Sequence, residues 1–378
     1  MDFSELKDKV DSFIASGVPE AQIIVMQNHK ELFRYAAGYT DEEKTEKANF
    51  SSLRWMFSMT KPITAVAVMR LAEQGKLKLD DQVEKYLPTF RDLKVKTPDG
   101  GSLPAENELT VARLLSMQGG YDYNRASFPH MLEASKNPKA TTMEVISALG
   151  YDPVKFEPGT SYCYSLCLDV AAALIEAASG KTYGQFLKDE IFDPLGMKDS
   201  GFHPTKEQFA RFSQKVRYNA ETGAFDRTDK RQNPYIFTEN YESGGAGLFS
   251  NAADYIKFAD AVSSKGVSAD GYRLLTEQSI NEIRRNRLDA HSMEVYRRVT
   301  KNREHFGYGL GVQTLIENEG LHTPLYEFGW DGAAGSYVSM DSQNGVSIVY
   351  TECCLSHSAI YSDGHPNFRE LTYKALGF

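Results

Sequence analysis

No stretch of this 378-residue chain approaches the roughly 18 uninterrupted apolar residues of a membrane-crossing helix, so a membrane partner is not expected. Positive charge is not in surplus: 42 Lys and Arg face 51 Asp and Glu, a formal net charge of -9. No basic patch stands out, and nucleic acid is not an expected partner. Cysteine is scarce. Cys163, Cys167, Cys353 and Cys354 lack the C-x-x-C spacing of a zinc site, and the neighbours Cys353 and Cys354 would project to opposite faces of any strand. They read as free thiols of a reducing compartment. The opening MDFSELKDKVDSFIASGVPE lacks the basic start and apolar run of a secretion signal. A cytoplasmic protein is therefore expected, unless an export signal has been removed. The eight histidines form no H-x-x-x-H or H-E-x-x-H pair, and there is no G-x-S-x-G elbow. SGGAGLFS is glycine-rich but lacks the G-K-[ST] ending of a phosphate loop. No metal and no organic cofactor is implied.

What is present is an ordinary globular composition, 41% hydrophobic and 25% charged, long enough for two or three domains. Phe3, Leu6, Val10, Phe13 and Ile14 fall three or four apart, which predicts a first surface helix. AQIIVMQ and ELFRYAAGY read as two strands around a polar turn at Asn28, His29 and Lys30. PITAVAVMRLAEQG is apolar all round, the mark of a buried helix, with Gly75 as its cap. From about 80 to 235 the chain reads as helix and loop with few strand signals. Strand patterns return in GYGLGVQTLI, AAGSYVSMD and VSIVYTE, the last two around a turn at Ser342 to Gly345. PNFRELTYKALG predicts a final helix, with His365 in the turn before it. The Arg-rich stretch 283–305 reads as a surface excursion.

Strands at both ends with helices between predict an α/β (α+β) fold: one antiparallel sheet flanked by terminal helices, plus an inserted all-helical lobe. The expected division is 1–79 with 236–378 for the sheet domain and 80–235 for the lobe.

The tetrad SMTK at 58–61 is the first candidate for chemistry. With Ser58 opening the buried helix, Lys61 would lie on the same face one turn later. Pro62 is tolerated there, because the amide it lacks would be unpaired in a first turn. Desolvation beside Trp55, Met56 and Phe57 would lower the lysine's pKa and let it take a proton from the hydroxyl. Equally, Ser58 could merely cap the helix while Lys61 snorkels to solvent. The tetrad alone leaves both open.

Five ordered segments carry a resemblance. They are WMFSMTKPITAVAVMRLAEQGKLKLDDQVEKYLP, LTVARLLSMQGGY, FEPGTSYCYSLCLDVAAALIEAASGKTYGQFLKDEIFDPLGMKDSGF, ESGGAGLFSNAADYIKF and FGWDGAAGSYVSMD. Together they resemble the penicillin-recognising serine hydrolases, closest to the class C β-lactamase and family VIII carboxylesterase branch, with the β-lactamase/transpeptidase-like fold. The resemblance implies Ser58 as nucleophile, Lys61 as the lysine sharing its proton, and Tyr164 as the tyrosine acting with it before protonating the leaving group. Such a pair would titrate together. By the same resemblance the amides of Ser58 and Ala333 form the oxyanion hole, and Trp330-Asp331-Gly332 stands where K-T-G or H-x-G is usual.

Two departures bear on specificity. Trp330 removes a cation that would hold a carboxylate, and Asp331 makes that corner less hospitable to an anion still. Leu166 replaces the asparagine of Y-x-N, pointing to an apolar acyl pocket. Tyr121 and Tyr123 are candidates for its rim. The expectation is a serine hydrolase of small carboxylic esters, its partner a small-molecule ester or amide. A β-lactamase, D-amino-acid peptidase or amidase, an acyltransferase using the same acyl-enzyme, and a non-catalytic scaffold are the alternatives. Oligomeric state is not legible.

Overall fold

The computed structural model describes residues 1–300 and 303–378. Seven strands form one antiparallel sheet: β1 (Glu20–Gln27), β2 (Lys30–Gly38), β3 (Phe306–Tyr308), β4 (Gln313–Leu315), β5 (Phe328–Asp331), β6 (Tyr337–Asp341) and β7 (Val346–Glu352). Their order across the sheet is β2-β1-β7-β6-β5-β4-β3, so the two ends of the chain meet where β1 pairs with β7. The first hairpin turns on Asn28 and His29, both left-handed with φ of 49° and 66°, as a two-residue turn matching strand twist requires. Lys30 belongs to β2 rather than to the turn.

Alternation along the strands gives the sheet two buried faces. Ile23 and Val25 of β1, with Ile348 and Tyr350 of β7, pack on Leu6, Val10 and Phe13 of helix α1 (Ser4–Ala15) and on Phe368 and Tyr373 of the last helix (His365–Leu376). Ile24, Val338 and Val349 point the other way, into the main core with α2 (Thr60–Glu73) and the helix Ala252–Ser263. Burying each large apolar side chain contributes roughly 1.5–3 kcal/mol, so a strand slipped by one residue would lose both faces at once. His365 starts the last helix instead of preceding it, and it is buried.

The sequence also misjudged three stretches. GYGLGVQTLI is two strands, β3 and β4, folded back on each other at Gly309–Val312, with Gly311 in the left-handed region at φ 70°. Strand Lys215–Tyr218, in the stretch read as helix and loop, pairs with Phe225–Thr228 and in parallel with Cys354–Leu355. Short-range periodicity does not reveal a partner strand more than a hundred residues away. Finally, the Arg-rich stretch read as a surface excursion holds the helix Ala290–Thr300 and, beyond it, Arg303, whose side chain is only 15% exposed. Lys301 and Asn302 of that stretch lie outside the described residues.

Candidate active site

Ser58 stands in a single 3-10 turn, Phe57–Met59, that runs directly into α2. Phe57 is left-handed at φ 47°, a strain of about 1 kcal/mol or more for a non-glycine residue. Thr60 holds the turn: its hydroxyl donates to Phe57 O at 2.6 Å and accepts from the Leu248 amide at 3.1 Å. One turn on, Lys61 Nζ lies 2.9 Å from Ser58 Oγ and donates to Gly245 O at 2.8 Å. Lys61 is fully buried, so it does not snorkel.

Among the described residues Lys61 has no carboxylate in ion-pair contact. Burial therefore dominates and pushes its ammonium down, to about 7, against weaker upward pulls from Asp169, Asp331 and Cys167. Asp169 is buried behind it and accepts from Tyr241 Oη at 3.0 Å and Ser243 Oγ at 2.5 Å. Its burial raises its own pKa, with the Ser243 hydroxyl and then Lys61 pulling it back.

Tyr164 comes from the segment leading into helix Cys167–Ser179, and its ring lies 4.5 Å from Lys61 Nζ. The Trp330 indole, at the end of β5, donates to Tyr164 Oη at 3.0 Å. Burial drives the phenol well above its ordinary pKa, while hydrogen bonds with Ser58 and Trp330 pull it back. Tyr164 is therefore a neutral phenol near pH 7, and Lys61 is the group of the two ready to accept a proton.

The third wall is the turn after β5. A side chain at Gly332 would put Cβ 2.3 Å from Met56 O, so only glycine lets this turn close against the backbone leading to Ser58. Tyr361 Oη donates to Gly332 O at 2.8 Å from the far side. Among the described residues the Ala333 amide donates to no backbone acceptor. Ser58, Tyr164, Trp330, Asp331 and Ala333 all line one cavity of about 460 Å³.

Two residues expected to contact substrate lie elsewhere, for different reasons. Tyr121 is fully buried, its ring against Phe90 and Phe128 with centroids 6.4 and 5.8 Å away, because the core gains more from the whole ring than a rim would. Its neighbour Tyr123 is the one near the chemistry, 5.6 Å from the Tyr164 ring. Leu166, at 1% exposure, turns into the main core at the start of helix Cys167–Ser179 and is absent from the cavity wall.

The corner at Trp330 and Asp331 also differs from expectation. Arg303 is ion-paired with Asp331 and sits 4.4 Å over the Trp330 ring, so the carboxylate there is compensated. Nothing in the Arg-rich stretch 283–305 distinguished this arginine from the others there. His365 Nδ1 is 3.9 Å from Asp331, but burial lowers the imidazole to about 4, leaving it neutral, with Nε2 donating to Gly335 O at 2.9 Å. Among the described residues, Glu352, Cys354 and His357 could offer a metal three ligand atoms within 4.8 Å of one another. That group lies behind the turn, where the Cys354 amide donates to Ala334 O, and it takes no part in the Ser58 cavity.

Comparison with known proteins places this geometry. A family model described as Beta-lactamase matches residues 6–352. Esterase EstB of Burkholderia gladioli is 27% identical, over 69% of this chain and 71% of its own. Protein Rv1367c of Mycobacterium tuberculosis is 25% identical over 99% of this chain and 98% of its own. The solved structure of EstCE1, described as a hydrolase with promiscuous acyltransferase activity, superposes with a TM-score of 0.80 at 21% identity, covering 97% of each chain.

Proposed function

The chain belongs to the beta-lactamase family, and from that premise we propose that it is a serine hydrolase of small carboxylic esters working through a Ser58 acyl-enzyme. The observation that carries the reading is the contact of 2.9 Å between Ser58 Oγ and a buried Lys61 that, among the described residues, has no carboxylate in ion-pair contact. Neutral Lys61 takes the Ser58 proton as Oγ attacks the ester carbonyl. The oxyanion settles on the amides of Ser58 and Ala333, a pair worth several kcal/mol, of which roughly 3 kcal/mol goes with either donor. Tyr164, held by Trp330, gives its phenolic proton to the departing alkoxide and is reprotonated from Lys61. Water then releases the acid.

Esters are favoured over β-lactams and peptides because the usual third-motif cation is replaced by an indole, and Arg303 is already engaged by Asp331. EstB is an esterase by name, which supports the same choice. EstCE1 gives a second reading, transfer of the acyl group to an alcohol instead of water. The division into a sheet domain (1–79 with 236–378) and a lobe (80–235) belongs to this reading, with Ser58 and Trp330 contributed by the first and Tyr164 by the second. So does a cytoplasmic location, supported by four free thiols; no described helix is long and apolar enough to cross a membrane.

The test is paired hydrolysis of p-nitrophenyl butyrate and nitrocefin by the wild type and by Ser58→Ala. Ester cleavage that depends on Ser58, with nitrocefin barely touched, is the expected result. Nitrocefin as the better substrate would overturn the ester assignment, and equal rates for the alanine variant would overturn the nucleophile.

A further inference from the structure

An ester attacked by Ser58 has two ends, and the site gives them different surroundings. Tyr164, which protonates the departing oxygen and is held by Trp330, takes the alcohol end. The acyl end is then left the part of the wall formed by Ala333 and Tyr235. There a second cavity opens, of about 570 Å³. It shares Ala333 and Tyr235 with the Ser58 cavity, and Phe57, the residue before Ser58, forms part of its wall.

This second chamber is basic. Lys215 and Arg217 line it from the strand Lys215–Tyr218, where residues two apart share a face. No Asp or Glu lines it, although the chain carries 51 acids against 42 bases. Lys215 is only 7% exposed, and Nζ donates to Gln232 O at 2.6 Å. Arg217 Nη1 donates to Ser356 Oγ at 2.9 Å. Among the described residues neither cation is in ion-pair contact with a carboxylate, whereas Arg211 and Arg227 nearby in sequence are each paired. Burial holds the Lys215 ammonium below its ordinary pKa, against weaker upward pulls from Cys353 and Asp229, with Arg217 adding a smaller push downward. A largely buried ammonium beside a second positive charge, with no carboxylate in contact among the described residues, offers a place that an incoming anion would fill.

We propose that the acyl chain of the substrate ends in a carboxylate and that Lys215 and Arg217 hold it in this chamber, so that the preferred substrates are esters of dicarboxylic acids. This rests on Ser58 as the nucleophile and adds which acid the enzyme takes.

The experiment compares mono-p-nitrophenyl esters of succinic, glutaric and adipic acid with neutral p-nitrophenyl esters of matched length. The wild type is expected to favour at least one half-ester by about tenfold or more in kcat/KM, the best length reporting the reach from Ser58. Lys215→Met and Arg217→Gln should each erase that preference through KM and leave the neutral esters unchanged, which also shows that the variants fold. Arg217→Lys should retain part of it. No preference in the wild type, or equal losses on charged and neutral esters, overturns the chamber while leaving Ser58 standing. Undiminished hydrolysis by Ser58→Ala would instead sink the parent reading.

Discussion

Two cations, Arg303 in the wall of the Ser58 cavity and Lys61 buried behind Ser58, have opposite fates. Arg303 is given a carboxylate, Asp331, and an indole face, Trp330, and stays a permanent charge that burial cannot discharge. Lys61 is given a hydroxyl and a carbonyl and no carboxylate in contact, so desolvation drives its ammonium towards neutrality. What separates a structural cation from a base is thus the partner withheld, more than the depth of burial. The arginine fastens the third-motif turn, and the lysine beside Ser58 is left able to accept a proton.

The largest expected effect breaks the lysine side of that comparison. Lys61→Met should lower kcat by roughly 10³-fold or more, as removal of one member of a catalytic unit does. The same variant should melt at a higher temperature than the wild type, because a desolvated amine is replaced by an apolar chain of similar length. A lower melting temperature would mean that Asp169 stabilises the ammonium more than burial costs it. Next comes Gly332→Ala. The added Cβ meets Met56 O, the turn must retreat, and the Ala333 amide leaves the oxyanion; about 100-fold in kcat is expected, with KM little changed.

On the arginine side, Asp331→Asn leaves a partly buried guanidinium without its counter-charge. A stability loss of about 2 kcal/mol is expected by thermal or urea melts, discounted for the partial exposure of both side chains, the opposite sign to Lys61→Met. Trp330→Phe keeps the ring under Arg303 but removes the indole donor to Tyr164, costing roughly tenfold in kcat. The smallest effect is a pH profile. Since the folded pKa of Lys61 is depressed to about 7, the neutral base accumulates as pH rises through that value, and kcat/KM should climb across it. A flat profile between pH 6 and 8 would argue that Lys61 does not change charge there.

Much of the frame was legible because it is local. The periodicity of Leu6, Val10 and Phe13, the alternation of Ile23, Ile24 and Val25, and the turn before Gly345 each follow from a few neighbouring residues. SMTK was legible for the same reason, since one helical turn suffices to bring Lys61 to Ser58. Tyr164 and the Trp330 turn required a resemblance spanning most of the chain, because nothing local links residues 166 positions apart. The misplaced residues share one cause. Leu166 and Tyr121 are apolar or aromatic, and such side chains serve a pocket or a core equally well on paper.

By itself, then, the sequence determined the sheet-and-helix plan, the buried helix that begins at the nucleophile motif, and the spacing of serine and lysine. These are set by backbone geometry and by short-range burial. Only the tertiary structure decided which charges are paired: that Arg303 meets Asp331 and that, among the described residues, Lys61, Lys215 and Arg217 have no carboxylate in ion-pair contact. Charge state depends on burial and on partners a few ångströms away in space, and those distances exist only once distant segments have packed.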